Sequence, residues 1–316
     1  MNNAIKAFPD VLSKRRNGLI RDVRRNRVWY AFVFPVVAFF LIFKYVPFYF
    51  VTIAFRDYRI TRSIGDAPFA GLKYFIQLFE TPGFRQAFVN TLLISFYKLI
   101  WGFPAPIILA VLLNELRSQR FKKWTQTLIY LPHFISWAVI GGILQNLLSL
   151  NDGSVNKIIE IMGFDPIFWL GDKSIFRGLL VTTDIWKSAG WGTIIYLASI
   201  TRINPELYEA ARIDGARRWQ EIMYITLPSI RDVIIVLLIL RLGNLLNVGF
   251  EQILILKNDL VQDVGDVLDT FVYRTGLIER RYSYATAAGL FKSLLATFFL
   301  VTSDWLSKKF SGEGLL

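Results

Sequence analysis

The sequence predicts an all-α, polytopic membrane protein, and three observations carry that expectation. Of its 316 residues 54% are hydrophobic, with 27 Phe, 9 Trp and a mean hydropathy of +0.42, more apolar side chain than a soluble chain of this length normally carries. The apolar residues fall in six long runs, 29–55, 86–113, 124–149, 175–201, 233–256 and 282–306, each near the roughly 20 residues a helix needs to cross a bilayer. The basic residues between the runs are one-sided. Lys6, Lys14, Arg15, Arg16, Arg21, Arg24, Arg25 and Arg27 lie in residues 1–28, and the stretches 114–123, 202–232 and the end of the chain add eleven more of the 36 Lys and Arg. An even number of spans puts both termini and those two loops on one side, and the positive-inside rule makes it the cytoplasm.

The net charge of +12 therefore expresses topology and not a nucleic-acid footprint. The opposite-side loop 257–285 instead carries Asp259, Asp263, Asp266, Asp269 and Glu279. With no Cys and a single His, His133, the chain offers no disulfide framework, no thiolate site and no His cluster. Neither a metal centre nor a catalytic residue is expected. The run 29–55 is too long for a signal-peptide core and lacks a small-residue cleavage site, so it should remain as the first span.

Taken in order, residues 1–28 are a cytoplasmic arm, 29–306 a single six-helix membrane domain, and 307–316 a cytoplasmic tail. Between spans one and two, GLKYFIQLFE (71–80) reads as a short amphipathic helix at the membrane surface. Span two holds GFPAP (102–106), and its prolines should bend or break the helix. Loop 150–174 is rich in turn signals, with Asn151-Asp152-Gly153 and Asp165-Pro166. His133, after Pro132 near the start of span three, is expected at a helix end.

Charges within the runs are informative because each costs about 2.5–3.5 kcal/mol at bilayer depth unless it faces protein or water. Lys44, Lys98, Asp184, Lys187, Arg241, Glu251 and Lys292 are such residues. At about 100° per residue, Arg241, Asn244, Val248, Glu251 and Gln252 share one wet stripe on span five. On span four Asp184, Lys187, Ser188 and Trp191 share a face, with Asp184 and Lys187 spaced to pair at i, i+3. Asn90, Thr91, Ser95 and Lys98 make a third stripe, on span two. Stripes of this kind either line a passage or bind helices together. For spans four and five the residue types favour a passage for sugar: Trp191 offers a stacking ring, and Asn244, Asn247, Glu251 and Gln252 offer amides and a carboxylate to hydroxyls. Lys44 and Lys292 read as snorkelling or anchoring residues.

The cytoplasmic segment 209–228, EAARIDGARRWQEIMYITLP, is unlike the rest. Asn204-Pro205-Glu206 is a helix start, with Asn as cap, Pro in the first turn and an acid beside it. The helix should run to Ile213 and meet a turn at Asp214-Gly215. A second helix is expected from Ala216 to Thr226, stopping at Leu227-Pro228. Small residues Ala210, Ala211 and Gly215 make the knob slim. Glu209 either meets a partner or braces the second helix.

The string EAA, three residues, G, then LP twelve residues on resembles the signature of ABC importer membrane subunits. FPAPIILAVLLNELR (103–117), GTIIYLASI (192–200) and LGNLLNVGFEQ (242–252) are similar to the oligosaccharide branch of the maltose-type permeases, which includes alginate importer permeases. Many members have proline four residues after the LP proline, where this chain has Asp232, a difference that bears on how the chain enters span five. The resemblance implies the type I importer fold, with Glu209, Ala210, Ala211, Asp214, Gly215, Leu227 and Pro228 docking into a cytoplasmic ATPase. It further implies a second permease, two ATPase copies holding ATP and Mg, and an external solute-binding protein that delivers an oligosaccharide. No G-x-x-x-x-G-K-[ST] occurs here, so ATP chemistry belongs to a partner and this chain is not itself an enzyme. Lys98, Lys187 and Arg241 suit an acidic fragment such as alginate, and neutral glycans fit as well. The alternatives are a permease for another solute, such as amino acids or glycerol phosphate, and an ion-coupled carrier with Asp184 or Glu251 as the coupling carboxylate.

Overall fold

The structure, a computed structural model, describes residues 25–311; most of the expected arm and the last five residues of the tail lie outside them. Among the described residues the chain is helical, and the strand-like pairing is one isolated bridge between Arg56 and Phe69. Helix α1 spans Arg27–Phe55, passing from α through a wider π turn at Leu41–Tyr45 to a tighter 3₁₀ stretch. Its large side chains, from Trp29 to Phe50, are almost all exposed, which an apolar helix tolerates only against lipid or another chain. The short helix α2, Lys73–Glu80, buries Leu78 against α3 and α13 and exposes Ile76 and Phe79.

Helix α3, Pro82–Glu115, continues through the GFPAP sequence as one span. The prolines interrupt it at Phe103 only, since Pro104 stands in the first turn of the continuing helix, where its missing N–H is not needed. The expected third span is broken. Helix α4, Gln119–Tyr130, ends in a 3₁₀ turn, and α5, Trp137–Leu147, leaves at 101°. Ser136 caps α5 by accepting from the Val139 N–H. After α6, Ser154–Ile161, comes α7, Lys173–Ile200, whose 28 residues reach about 42 Å at 1.5 Å per residue.

Helices α8, Pro205–Ile213, and α9, Arg218–Ser229, form a helical hairpin, and α10, Arg231–Gly243, departs from α9 at 63°. The expected span 233–256 is thus two pieces, α10 and α11, Phe250–Leu256, with irregular backbone between. The short α12, Leu268–Tyr273, leads into α13, Tyr282–Ser311. Among the described residues three helices (α1, α3 and α13) are long and apolar enough to cross a membrane, and up to five spans result if each bent pair is one.

Three buried clusters hold the helices together. Phe84, Ala87, Phe271, Tyr284 and Ala288 join α3, α12 and α13. Ile94, Phe176, Leu180 and Ile253 join α3, α7 and α11. Ala110, Tyr196, Leu197 and Ile230 join α3, α7 and the base of α10. Small residues permit close backbone approach: a Cβ on Gly190 of α7 would lie 2.1 Å from the Ile129 carbonyl oxygen of α4.

Candidate passage and docking hairpin

A break in a membrane helix exposes backbone groups that neighbouring chain must satisfy. Between α10 and α11 the polar stripe of α3 does this. Ser95 Oγ donates to the Leu245 carbonyl at 2.6 Å, and Lys98 Nζ to the Val248 carbonyl at 3.0 Å. Lys98 also donates to Gln252 Oε1 at 2.7 Å and pairs with Asp184 at 3.1 Å. Arg241 approaches the other Asp184 oxygen at 3.9 Å. Gln252, fully buried, donates to the Leu180 carbonyl at 2.7 Å and to Thr183 Oγ1 at 2.8 Å. Gly249, at φ +88°, makes the left-handed turn that starts α11.

The same stripe fastens the segment beyond α11. Asn90 donates to the carbonyls of Asp263 and Asp266, both at 2.9 Å, while Arg177 holds the Asn90 oxygen at 2.7 Å. Thr91 Oγ1 accepts from the Leu268 N–H at 2.8 Å. Asp266, buried, gathers Lys257 at 2.6 Å, Arg274 at 2.7 Å and the Thr270 hydroxyl at 2.7 Å. The result positions α12 beside α13.

Between α1, the end of α10, α12 and α13 lies a cavity of about 1210 Å³. Its wall is mostly apolar and aromatic, including Phe48, Phe250, Tyr273 and Tyr282, with the amides of Asn244 and Asn247 and the hydroxyls of Thr286 and Ser293 among them. Two charged residues line it, Lys292 and Asp269, and they are paired with each other. An apolar wall with a few convergent polar groups is the general form of a small-molecule site.

At the α8–α9 hairpin, Asn204 Oδ1 caps α8 by accepting from the Glu206 N–H at 3.1 Å. Gly215 makes the turn at φ +81°, a conformation that side chains with a Cβ resist. The two helices are clasped by the buried Glu221, which accepts from Arg212 at 2.9 Å and from Arg218 at 3.0 Å. The Arg212 guanidinium, with the Arg218 charge beside it, holds the Glu221 carboxyl below the ordinary glutamate range. Tyr208 and Thr226 share a hydroxyl hydrogen bond of 2.9 Å. Outward, the hairpin presents Leu207, Ile213, Trp219 and Tyr224, with Ile213 86% and Tyr224 77% exposed. An exposed apolar patch on so small an element is the kind of surface that another protein covers.

Residues 102–312 match the family described as binding-protein-dependent transport system inner membrane component. The chain belongs to this family. Among curated relatives, this permease is 42% identical to Protein LplB of Bacillus subtilis, covering 93% of this chain and 92% of that one. It is 43% identical to the polygalacturonan/rhamnogalacturonan transport system permease protein YteP of the same organism, covering 96% and 94%. Among solved structures, it superposes with a TM-score of 0.86 and 40% identity on a chain of a bacterial ABC transporter involved in import of the acidic polysaccharide alginate, covering 93% of this chain and 99% of that one. The permease is therefore an inner-membrane component of a bacterial ABC transport system.

The structure redistributes the expected passage residues of this permease. Of the eight, only Asn244 and Asn247 line the cavity. The continuous stripe on span five does not exist, because the helix is interrupted at residues 244–249 and the 100° repeat stops there. Asp184 does not pair with Lys187; it is taken by Lys98 and Arg241. Lys187 instead donates to the carbonyls of Pro132, His133 and Ile135 at 3.3, 2.9 and 2.5 Å, capping the broken α4. Trp191 stacks on the His133 ring, centroids 4.7 Å apart. Glu251 is exposed outside the cavity wall, and Gln252 is a buried strut. In the hairpin, α9 begins at Arg218 and not at Ala216, and Pro228 stands inside its final turn. Glu209 and Asp214 face outward, and the brace from within is Glu221, whose signal in the sequence was Arg218 three residues before it.

Proposed function

We propose that this permease forms half of the passage of an ATP-driven oligosaccharide importer, with 1–28 as a cytoplasmic arm, 29–306 as a six-span domain with both termini inside, and 307–316 as the tail. A second permease closes the passage, two ATPase subunits below hold ATP and Mg, and an external binding protein delivers the sugar. The observation that carries this is the likeness, at 40% identity over 93% of the chain, to the alginate importer subunit, which has also been solved with an alginate pentasaccharide-bound periplasmic protein. The site supports it. The cavity opens beside α1 and α13 with rings to stack on sugar faces and amides to take hydroxyls, and Glu209, Ala210, Ala211 and the exposed Ile213 and Tyr224 form the face that an ATPase groove would grip. Of the two carboxylates an ion-coupled carrier could use, Asp184 is already paired with Lys98, and Glu251 stands outside the cavity wall.

The test is to co-express the chain with a candidate second permease and ATPase, reconstitute the complex and measure ATP hydrolysis with and without sugar-loaded binding protein. Stimulated hydrolysis and uptake support the importer. A chain that purifies without an ATPase, or moves sugar on an ion gradient alone, refutes it.

A further inference from the structure

We infer that Lys292 reads the carboxylate of an acidic sugar in the passage, and that Asp269 is the counter-charge that keeps this grip weak enough for release. The inference rests on the importer function proposed above and specifies the substrate class. The cations that the sequence offers to an acidic sugar are committed elsewhere: Lys98 to Asp184, Gln252 and the Val248 carbonyl, Lys187 to three carbonyls, and Arg241 to Asp184, outside the cavity wall. Lys292 alone of the described cations lines the cavity. Its ammonium has three donor directions, and Asp269 is the partner it bonds. Two donor directions are therefore left for a group that enters the cavity.

Depth fits as well. Lys292 lies ten residues into α13 from Tyr282, about 15 Å along the helix axis, near the middle of the apolar stretch Tyr282–Trp305 that is long enough to cross a bilayer. Around it, Asn244, Asn247 and Ser293 offer hydrogen bonds to hydroxyls, and Phe250 and Tyr273 offer ring faces. A lone ammonium at that depth would hold a carboxylate too firmly for passage. A paired one exchanges part of its bond to Asp269 for a bond to the uronate, so the sugar enters and leaves, as conduction requires.

The two charges should then act with opposite signs on the same substrate. In the reconstituted complex, uptake is measured for oligogalacturonates, for alginate fragments, for their methyl esters and for neutral malto-oligosaccharides, always with the same binding protein so that its preference cancels between variants. Lys292→Gln should lower uptake of the acid relative to its ester about tenfold, and Lys292→Arg should keep it. Asp269→Asn should tighten half-saturation for the acid severalfold and slow its release, leaving the ester unchanged. Equal losses on acid and ester in both variants would show the pair to be structural only and overturn the inference while the importer function stands. Uptake of neutral sugars alone by the wild type overturns it likewise, and no uptake of any sugar overturns both.

Discussion

Lys98 is the residue on which the broken span rests. It is 4% exposed and satisfies a carboxylate, an amide and a free carbonyl at once. Removing one partner of a buried pair leaves an uncompensated charge and costs about 3–5 kcal/mol. Lys98→Met should therefore lower the melting temperature in detergent and raise hydrogen exchange at residues 244–256, whereas Lys44→Met, at an exposed position on α1, should change neither. Unchanged melting of the first variant would show that the segment holds itself. Gly215 is a second case. A Cβ there meets nothing within 4 Å, so the cost of Gly215→Val within this chain is backbone strain alone, about 1–2 kcal/mol. The substituted permease should still insert, and under the proposed docking substrate-stimulated ATP hydrolysis should fall, because a strained turn displaces the face offered to the ATPase. Full stimulation would reduce the hairpin to a connecting loop.

At the scale of elements, the clasp between α8 and α9 depends on an ionised Glu221. Its pKa is depressed in the folded hairpin, so its contribution is complete above the ordinary glutamate value of 4.5 and is lost as pH falls through the lower folded value. Hydrogen exchange at residues 205–229, corrected for intrinsic rates, should be flat from pH 8 to 5 and rise only in the acid range below. Glu221→Gln should show raised exchange already at neutral pH; flat exchange in that variant would refute the clasp. The crossing of α4 and α7 is equally specific. A methyl on Gly190 would drive into the Ile129 carbonyl, and such overpacking costs about 1–3 kcal/mol. Gly190→Ala should lower thermal stability, while Gly178→Ala on the same helix, where a Cβ meets nothing within 4 Å, should not.

For the whole molecule, orientation is the decisive prediction. The natural absence of cysteine makes single-cysteine labelling clean. Positions 214 and 308 should react with a membrane-impermeant thiol reagent only in inverted vesicles, and positions 152 and 259 only in right-side-out cells. An outward-facing residue 214 would end the docking proposal. The exposed apolar faces, α1 above all, are a surface that lipid or another chain must cover, since no soluble monomer would leave them bare.

Membrane class, the first and last spans, the Asn204 cap and the Gly215 turn were legible in the sequence because each is set locally, by hydropathy or by one residue's backbone preference. Family membership was legible for a similar reason, since EAARIDG and its following LP are a contiguous string. What tertiary structure alone decided is where the polar residues go. The 100° repeat presumes an unbroken helix, and α10 breaks because α3, some 150 residues earlier in the chain, supplies the hydrogen bonds that make a break tolerable. Likewise Asp184 chose Lys98 over Lys187 three residues away, and Lys292 met an Asp269 that sequence assigns to an outer loop. Partner choice among buried charges follows distance in the folded chain, and that distance is fixed by packing, not by spacing along the sequence.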